Sequence, residues 1–298
     1  MDLMNTDFSD EDSDEDQESS KLFEKYGNAN PIHEAIDNDD ANAIPLILKS
    51  SGKLDFNPDM DELVDDITID QRDQDEYTPL HLSLLQRKLN CLEMCLNKGA
   101  ALSGGASELL GSHPLHLAVY ASAHNSENDK IFAVNATNMI LKEMKKRAEA
   151  TDTSPVSVHT LRDPLGRTPL HVAVELGTLR CANALIRSCK SKDAARKLIN
   201  ATNNSGQTVL HVAMERVGSV DSSKIESLVK TLLKASLAAG DAETTKAFVN
   251  AKDLRGVTAH EIGVVKNFTK VSLLNEYVED RKSDVPKSAI GVKNSSEN

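Results

Sequence analysis

The sequence predicts an all-α protein, a solenoid in which short helix-turn-helix repeats stack on one another. Three observations lead to this prediction. The tetrapeptide Thr-Pro-Leu-His occurs unchanged at residues 78–81 and 168–171. Looser copies of it recur along the chain, at intervals of 35 residues (81 to 116) to 55 residues (116 to 171). Hydrophobic residues make up 39% of the 298 residues but aromatic residues only 3%, so the core must be mainly aliphatic.

Each copy of the tetrapeptide is expected to begin the first helix of a repeat. A hydroxyl group before proline suits a helix N-terminus, because the oxygen accepts from free backbone N–H groups and proline fits the first turn. The leucine of each copy is expected to face the partner helix. The copies lie at Asn30–His33, Thr78–His81, His113–His116, Thr168–His171, Thr208–His211 and, most degraded, Thr258–Glu261.

The sequence after each copy completes the pattern. Behind Thr168–His171, Gly177 falls where the chain must turn, and Leu179–Ile186 provides the apolar face of a second helix. Ile199–Gly206 and Val249–Gly256, which precede later copies, have the composition of tight turns. From about residue 30 to residue 277, the chain therefore resembles a series of ankyrin repeats. The resemblance implies two antiparallel helices in each repeat and a β-turn finger between repeats.

The predicted organisation has three parts: a disordered acidic arm at 1–27, an ankyrin-repeat domain at 28–279 and a polar tail at 280–298. The repeats exceed the usual period of about 33 residues, so extra chain must be inserted. Segments 190–198 and 238–248 lead into similar Ile-Asn-Ala and Val-Asn-Ala sequences, and we expect matching helical extensions there. Inserted loops are expected near 52–75, 122–130, 148–162, 217–224 and 238–248.

Charge is distributed unevenly along the chain. Residues 1–76 carry a net charge of −19 and residues 77–298 a net charge of +7. Residues 1–20 contain nine acidic and no basic side chains, so they are expected to stay disordered, shielding basic groups or steering a basic partner. The dilute positive charge, without interleaved aromatics, argues against nucleic-acid binding. An acidic N-terminus and no apolar run of about 18 residues argue against a secretory signal or a membrane span.

The residues that suggest chemistry have simpler interpretations. The histidines occur one per repeat, about 10 Å apart in a helical stack, which is too far to share a metal ion. We expect them to bind backbone groups between repeats. Cys91, Cys95, Cys181 and Cys189 have neither zinc-pair spacing nor a disulfide pattern, and we expect reduced thiols in the cytoplasm or nucleus. No catalytic motif is found, so we predict neither an enzyme nor a metal or cofactor site.

The resemblance implies a monomeric protein-binding module, a scaffold, adaptor or inhibitor that holds another protein on its concave face and fingers. Ser9 and Ser13, each followed by Asp-Glu-Asp, are candidate phosphorylation sites. The residues expected to be exposed for partner binding are Asp75, Glu76, Tyr77, Arg162, Leu165, Arg167, Glu175, Leu176, Glu215, Arg216, Leu254 and Arg255.

Two alternatives remain open at this point. The chain is also compatible with an ankyrin-repeat effector that an intracellular bacterium delivers into the host cytosol. Residues 275–298 would then suit a C-terminal export signal. The second alternative is an enzyme whose site lies in the inserted loops, although no motif supports it.

Overall fold

A computed structural model describes residues 25–26, 30–50, 67–102, 113–123, 126–151 and 157–275. Most helices come in pairs joined by short turns, which confirms the predicted all-α solenoid. The pairs are α1 Pro31–Asp37 and α2 Ala43–Ser50, α3 Pro79–Leu85 and α4 Leu89–Asn97, α5 Pro114–Tyr120 and α6 Glu127–Ala150, α7 Pro169–Glu175 and α8 Leu179–Arg187, α10 Val209–Glu215 and α11 Ser222–Ala239, and α13 Ala259–Val265 and α14 Ser272–Asn275. A 3-10 turn, Val158–Thr160, and two further helices, α9 Lys192–Ile199 and α12 Ala242–Val249, lie between pairs.

The helices form two layers. The first helices α1, α3, α5, α7, α10 and α13 pack in that order, and the second helices α2, α4, α6, α8 and α11 pack beside them. Leu80, Leu115, Leu170 and Leu210, the leucines of four tetrapeptide copies, are fully buried. One continuous aliphatic core therefore runs through the stack, as expected for repeats that cannot bury an apolar face alone.

The tetrapeptide begins helices in the way the sequence predicts. The Thr168 hydroxyl oxygen accepts from the N–H of His171, and Pro169 occupies the first helical position. In the last repeat Glu261 replaces the histidine, and its carboxylate accepts from the N–H of Thr258 at 2.7 Å. The degraded sixth copy is therefore a capping box with the usual acidic partner.

Several segments expected as loops are partly or wholly helical. The segment 238–248, expected both as an insertion and as a helical extension, contains the end of α11 and most of α12, because Asp241 caps the new helix by accepting from the N–H of Thr244 at 2.8 Å. Ser126 similarly caps α6 within 122–130, accepting from the N–H of Asp129 at 3.0 Å. Of the remaining three segments, 217–224 includes the start of α11, and 148–162 includes the end of α6 and the 3-10 turn. In the segment 52–75, residues 67–75 contain no helix, and residues 52–66 lie outside the described residues.

Helices α9 and α12 occupy the two segments expected to be helical extensions. α9 packs against α11 and the 3-10 turn, and α12 packs against α11. Within the described part of the chain, no helix is long and apolar enough to cross a membrane.

Candidate partner-binding surface

The turns that connect successive repeats share one hydrogen-bonding arrangement. The Asp163 carboxylate accepts from the backbone N–H groups of Leu165 at 3.0 Å and Arg167 at 2.7 Å. Gly166 then takes a positive φ of 72°, which glycine adopts without strain. Asp73, Asn203 and Asp253 make the equivalent pairs of contacts in their own turns.

Three of these turns are joined into one edge by backbone hydrogen bonds. The N–H of Asn204 donates to the carbonyl of Leu165 at 3.0 Å. The N–H of Leu254 donates to the carbonyl of Ser205 at 3.1 Å. The Arg162 side chain also links the first two of these turns, because it donates to the carbonyl of Thr202 at 2.9 Å. We call residues 163–167, 203–207 and 253–257 the finger edge.

The tips of the finger edge carry exposed apolar side chains. Leu165 is 58% exposed and Leu254 is 79% exposed, the largest values among the exposed large hydrophobic residues of the described chain. Arg162 is exposed beside Leu165, and the Arg255 side chain is 60% exposed beside Leu254. The structure therefore brings together four of the residues predicted for partner binding.

The predicted exposure of Arg167 is wrong. Its side chain is only 16% exposed, because its guanidinium donates to Asp163 at 2.7 Å, to Glu175 and to the hydroxyl of Tyr120. The Asp163 side chain is 1% exposed. Tyr120 belongs to α5 and Glu175 to α7, so Arg167 ties the third repeat to the fourth. The register alone could not show this, since it depends on a tyrosine 47 residues away.

Glu215 has a comparable role in the next repeat. Its carboxylate accepts from the Gln207 side chain at 2.6 Å and from Arg255 at 3.0 Å. Leu176 packs against the core, and Arg216 is half-buried. Glu175, Glu215 and Leu176 are thus engaged within the stack.

The remaining predicted residues lie on the turn of the second repeat, apart from the finger edge. Asp75 and Glu76 are exposed, and Glu76 pairs with Arg72 at 2.8 Å. Glu76 has a positive φ of 66°, at the position where the later turns have a glycine with positive φ. Tyr77 is half-buried, and its carbonyl lies 2.8 Å from Nε2 of His33.

Four of the repeated histidines, His33, His116, His171 and His211, lie within hydrogen-bond distance of a backbone carbonyl of the following repeat, as predicted. Nε2 of His116 lies 3.0 Å from the carbonyl oxygen of Arg167, and His171 and His211 reach Gln207 and Val257 at 3.1 Å. Burial lowers the pKa of His171 to about 4, which keeps the ring neutral. Among the described residues, no group of three or more His, Cys, Asp or Glu side chains is placed to hold a metal ion.

The cysteines are unpaired thiols in apolar surroundings. Burial raises the pKa of Cys91 to about 11 and that of Cys95 to about 12, and it raises the pKa values of Cys181 and Cys189 as well. A thiol with a raised pKa is a weak nucleophile at neutral pH, because the thiolate is the reactive form.

Two further predictions concern residues that the structure does not describe. The predicted phosphorylation sites Ser9 and Ser13, and the tail 280–298, lie outside the described residues.

Comparison with known proteins agrees with the repeated geometry. Residues 130–238 match the family described as ankyrin repeats, in three copies. The structure is similar to that of EF0377, an ankyrin-repeat protein, with a TM-score of 0.58 and 18% identity over 83% of this chain and 97% of that one. Residues 130–238 are therefore ankyrin repeats, and the chain has the fold of an ankyrin-repeat solenoid.

Two further similarities extend the comparison. An ankyrin repeat domain from Acinetobacter baumannii AYE has a TM-score of 0.58 and 21% identity, covering 85% of this chain and all of that one. Inversin of Mus musculus is 29% identical over 134 residues, which are 39% of this ankyrin-repeat chain but only 12% of Inversin. The chain therefore matches a small part of that relative.

The acidic or amide side chains that shape the ankyrin fingers were not identified from the sequence. Their signal is present, because the pattern (Asp/Asn)-x-x-(Gly/Glu)-x-Thr occurs at residues 73–78, 163–168, 203–208 and 253–258. The first position supplies the side-chain acceptor, and the fourth supplies the positive φ.

Proposed function

We propose that this ankyrin-repeat protein binds a partner protein through its finger edge, with Leu165 and Leu254 as apolar anchors and Arg162 and Arg255 beside them. The single observation that carries the proposal is the exposure of two large leucines on an edge held by inter-repeat backbone hydrogen bonds. Arginine is enriched among the residues that contribute most to binding, and the two exposed leucines add apolar surface that a partner would bury. Asp75, Glu76 and Tyr77 would extend the contact toward the N-terminus.

The geometry favours a partner with apolar pockets and acidic neighbours. Arg162 is held by carbonyl oxygens, so its positive charge is not cancelled by a carboxylate in those contacts. Arg255 is already paired with Asp253 and Glu215, which leaves Arg162 as the stronger attraction for an acidic group. Because the edge is fixed before binding, little conformational entropy would be lost on association.

We propose a non-catalytic role as scaffold, adaptor or inhibitor for a monomer in the cytoplasm or nucleus. The raised pKa values of the cysteine thiols agree with a non-catalytic role. The bacterial-effector alternative depends on residues 275–298, of which the structure describes only Asn275. Measuring molar mass by light scattering tests the monomer, and the gene's genomic neighbourhood tests the effector alternative.

The proposed surface is tested by comparative affinity capture with the full chain. Leu165→Asp/Leu254→Asp should lose partners that the unmodified chain retains, because charge replaces both anchors. Ile131→Asp is the matched control, since Ile131 is 45% exposed but lies on α6. Identical sets of partners for all three proteins, identified by mass spectrometry, would overturn the finger edge as the binding surface.

A further inference from the structure

A groove of about 1140 Å³ opens between α6 and α8, on the layer of second helices rather than on the finger edge. The 3-10 turn and the start of α9 complete its lining. Its apolar surface includes Val134 and Leu141, both half-buried, and the buried Val158. The groove is therefore large enough, and apolar enough, to hold an extended peptide segment.

The rim of the groove is strongly basic. Its lining has one acidic residue, Glu149, and five basic residues: Lys142, Lys145, Arg180, Arg187 and Lys190. The nearest ion pairs are loose and exposed, with Lys145 3.8 Å from Glu149 and Arg180 4.0 Å from Glu127.

Three of the basic residues are in no ion pair within the described part of the chain. Among the residues that the structure describes, no carboxylate lies within 4.0 Å of the charged groups of Lys142, Arg187 or Lys190. Uncompensated like charges around one groove repel one another, and an acidic occupant would relieve that repulsion.

We propose that the occupant is the chain's own acidic arm, residues 1–20. This segment has nine acidic side chains and no basic ones, complementary to the rim. It also contains Leu3, Met4 and Phe8, which suit the apolar floor. The groove is thus an intramolecular docking site for the arm, separate from the finger edge proposed for a partner.

The length of the arm allows this contact. Tyr26 is 1% exposed and donates to Asp40 at 2.7 Å, so the arm leaves the solenoid at the first repeat. The groove lies between the second helices of the third and fourth repeats, roughly 20–30 Å along a stack of helices about 10 Å apart. Residues 10–16 precede Lys25 by 9 to 15 positions, which corresponds to roughly 30–50 Å of extended chain.

Connectivity favours the arm over an acidic segment of another protein. A segment tethered by a short flexible linker has an effective concentration of the order of millimolar at its site. A separate acidic peptide would have to exceed that concentration, or bind more tightly, to displace the arm. The arm therefore acts as a built-in competitor for acidic ligands of the groove.

The test uses a fluorescent peptide of residues 1–20, the unmodified full chain and three variant forms of it. In the first form, the neutral-arm chain, the nine acidic residues of the arm are replaced by Asn or Gln. Anisotropy at low salt should show the peptide binding to this chain at least about tenfold more tightly than to the unmodified chain, whose own arm fills the groove. Binding should be lost at 1 M salt, where charges are screened within about 3 Å.

Charge reversals locate the site. Adding Lys142→Glu/Arg187→Glu to the neutral-arm chain should weaken peptide binding by about tenfold or more, since attraction becomes repulsion. Lys252→Glu/Lys266→Glu is the matched control, because both lysines are exposed, lie outside the groove lining, and give the same change in net charge. Circular dichroism of each variant verifies its folding.

A second readout examines the unmodified chain directly. Acylation of lysines followed by mass spectrometry should show Lys142 and Lys190 less reactive in the unmodified chain than in the neutral-arm chain, with Lys252 equal in both. The proposal is overturned if the two chains bind the peptide equally, if the two charge-reversal pairs have equal effects, or if Lys142 and Lys190 show no protection.

Discussion

Nε2 of His171 lies 3.1 Å from the carbonyl oxygen of Gln207, the residue immediately before the next tetrapeptide copy. On the other side of the ring, Nδ1 accepts from the backbone N–H of Thr168 at 3.2 Å. The proton of the neutral ring is therefore on Nε2, which donates to Gln207. One side chain fixes both the start of its own helix and the position of the following finger.

This arrangement predicts that the protein becomes less stable as the pH falls from 7 to 5. Burial lowers the folded-state pKa values of His81, His113 and His171 to about 4, against about 6.5 in an unfolded chain. Above pH 6.5 both states are neutral, whereas between pH 6.5 and 4 only the unfolded state takes up protons. Each histidine should then lower the free energy of unfolding by about 2 kcal/mol at pH 5, which urea unfolding can measure.

The control for this prediction removes one titrating group. His171→Gln should lose less stability between pH 7 and pH 5 than the unmodified chain, whatever its stability at pH 7. Acidic residues with lowered pKa values, such as Asp253, lose their contribution only below about pH 3.8 and do not interfere. A urea midpoint that is unchanged between pH 7 and pH 5 would contradict the prediction.

Arg167→Ala should destabilise the protein by roughly 2–4 kcal/mol in urea unfolding at pH 7. The substitution leaves the buried Asp163 carboxylate without its guanidinium partner and separates Tyr120 from Glu175. Arg180→Ala is the surface control, because Arg180 is 71% exposed and its pair with Glu127 is loose, so its cost should stay below about 0.5 kcal/mol. Equal costs for the two variants would show that the Arg167 contacts do not stabilise the fold.

The contrast between Leu170 and Arg167 shows how far the sequence predicts this fold. Leu170 is buried by the repeat pattern itself, which any copy of the tetrapeptide reveals. Arg167 is held half-buried by partners on α5 and α7, whose proximity arises only when two repeats stack. Leu165 and Leu254 were predicted as exposed from their register in the repeat, but the hydrogen bonds that join their turns follow from three-dimensional packing.

Two glycines of the fingers should respond differently to replacement by alanine. Gly206 and Gly256 both have positive φ, 72° and 77°, so alanine is strained at either position by about 1 kcal/mol. A Cβ atom at Gly206 would also lie 2.9 Å from the backbone nitrogen of Leu254, whereas one at Gly256 would meet nothing within 4 Å. Gly206→Ala should therefore cost at least about 1 kcal/mol more in urea unfolding. Equal costs would contradict the close packing of the two fingers.

Phosphorylation of Ser9 and Ser13 should strengthen the docking proposed for the acidic arm. Each phosphate adds a charge of about −1.5 to −2 and three acceptor oxygens, and Lys142, Arg187 and Lys190 have no carboxylate within 4.0 Å among the described residues. A doubly phosphorylated peptide of residues 1–20 should bind the neutral-arm chain more tightly than the unphosphorylated peptide, and its affinity should fall more steeply with salt.

The control places the same added charge at Ser19 and Ser20 of the full chain, which follow the nine acidic residues of the arm instead of lying among them. Only about five residues separate these serines from Lys25, and the groove lies roughly 20–30 Å away along the stack, so their phosphates would reach it poorly. Phosphoserines at 19 and 20 should therefore protect Lys142 from acylation less than phosphoserines at 9 and 13. If phosphorylation at Ser9 and Ser13 neither tightens peptide binding nor increases that protection, the basic rim is not where the arm is held.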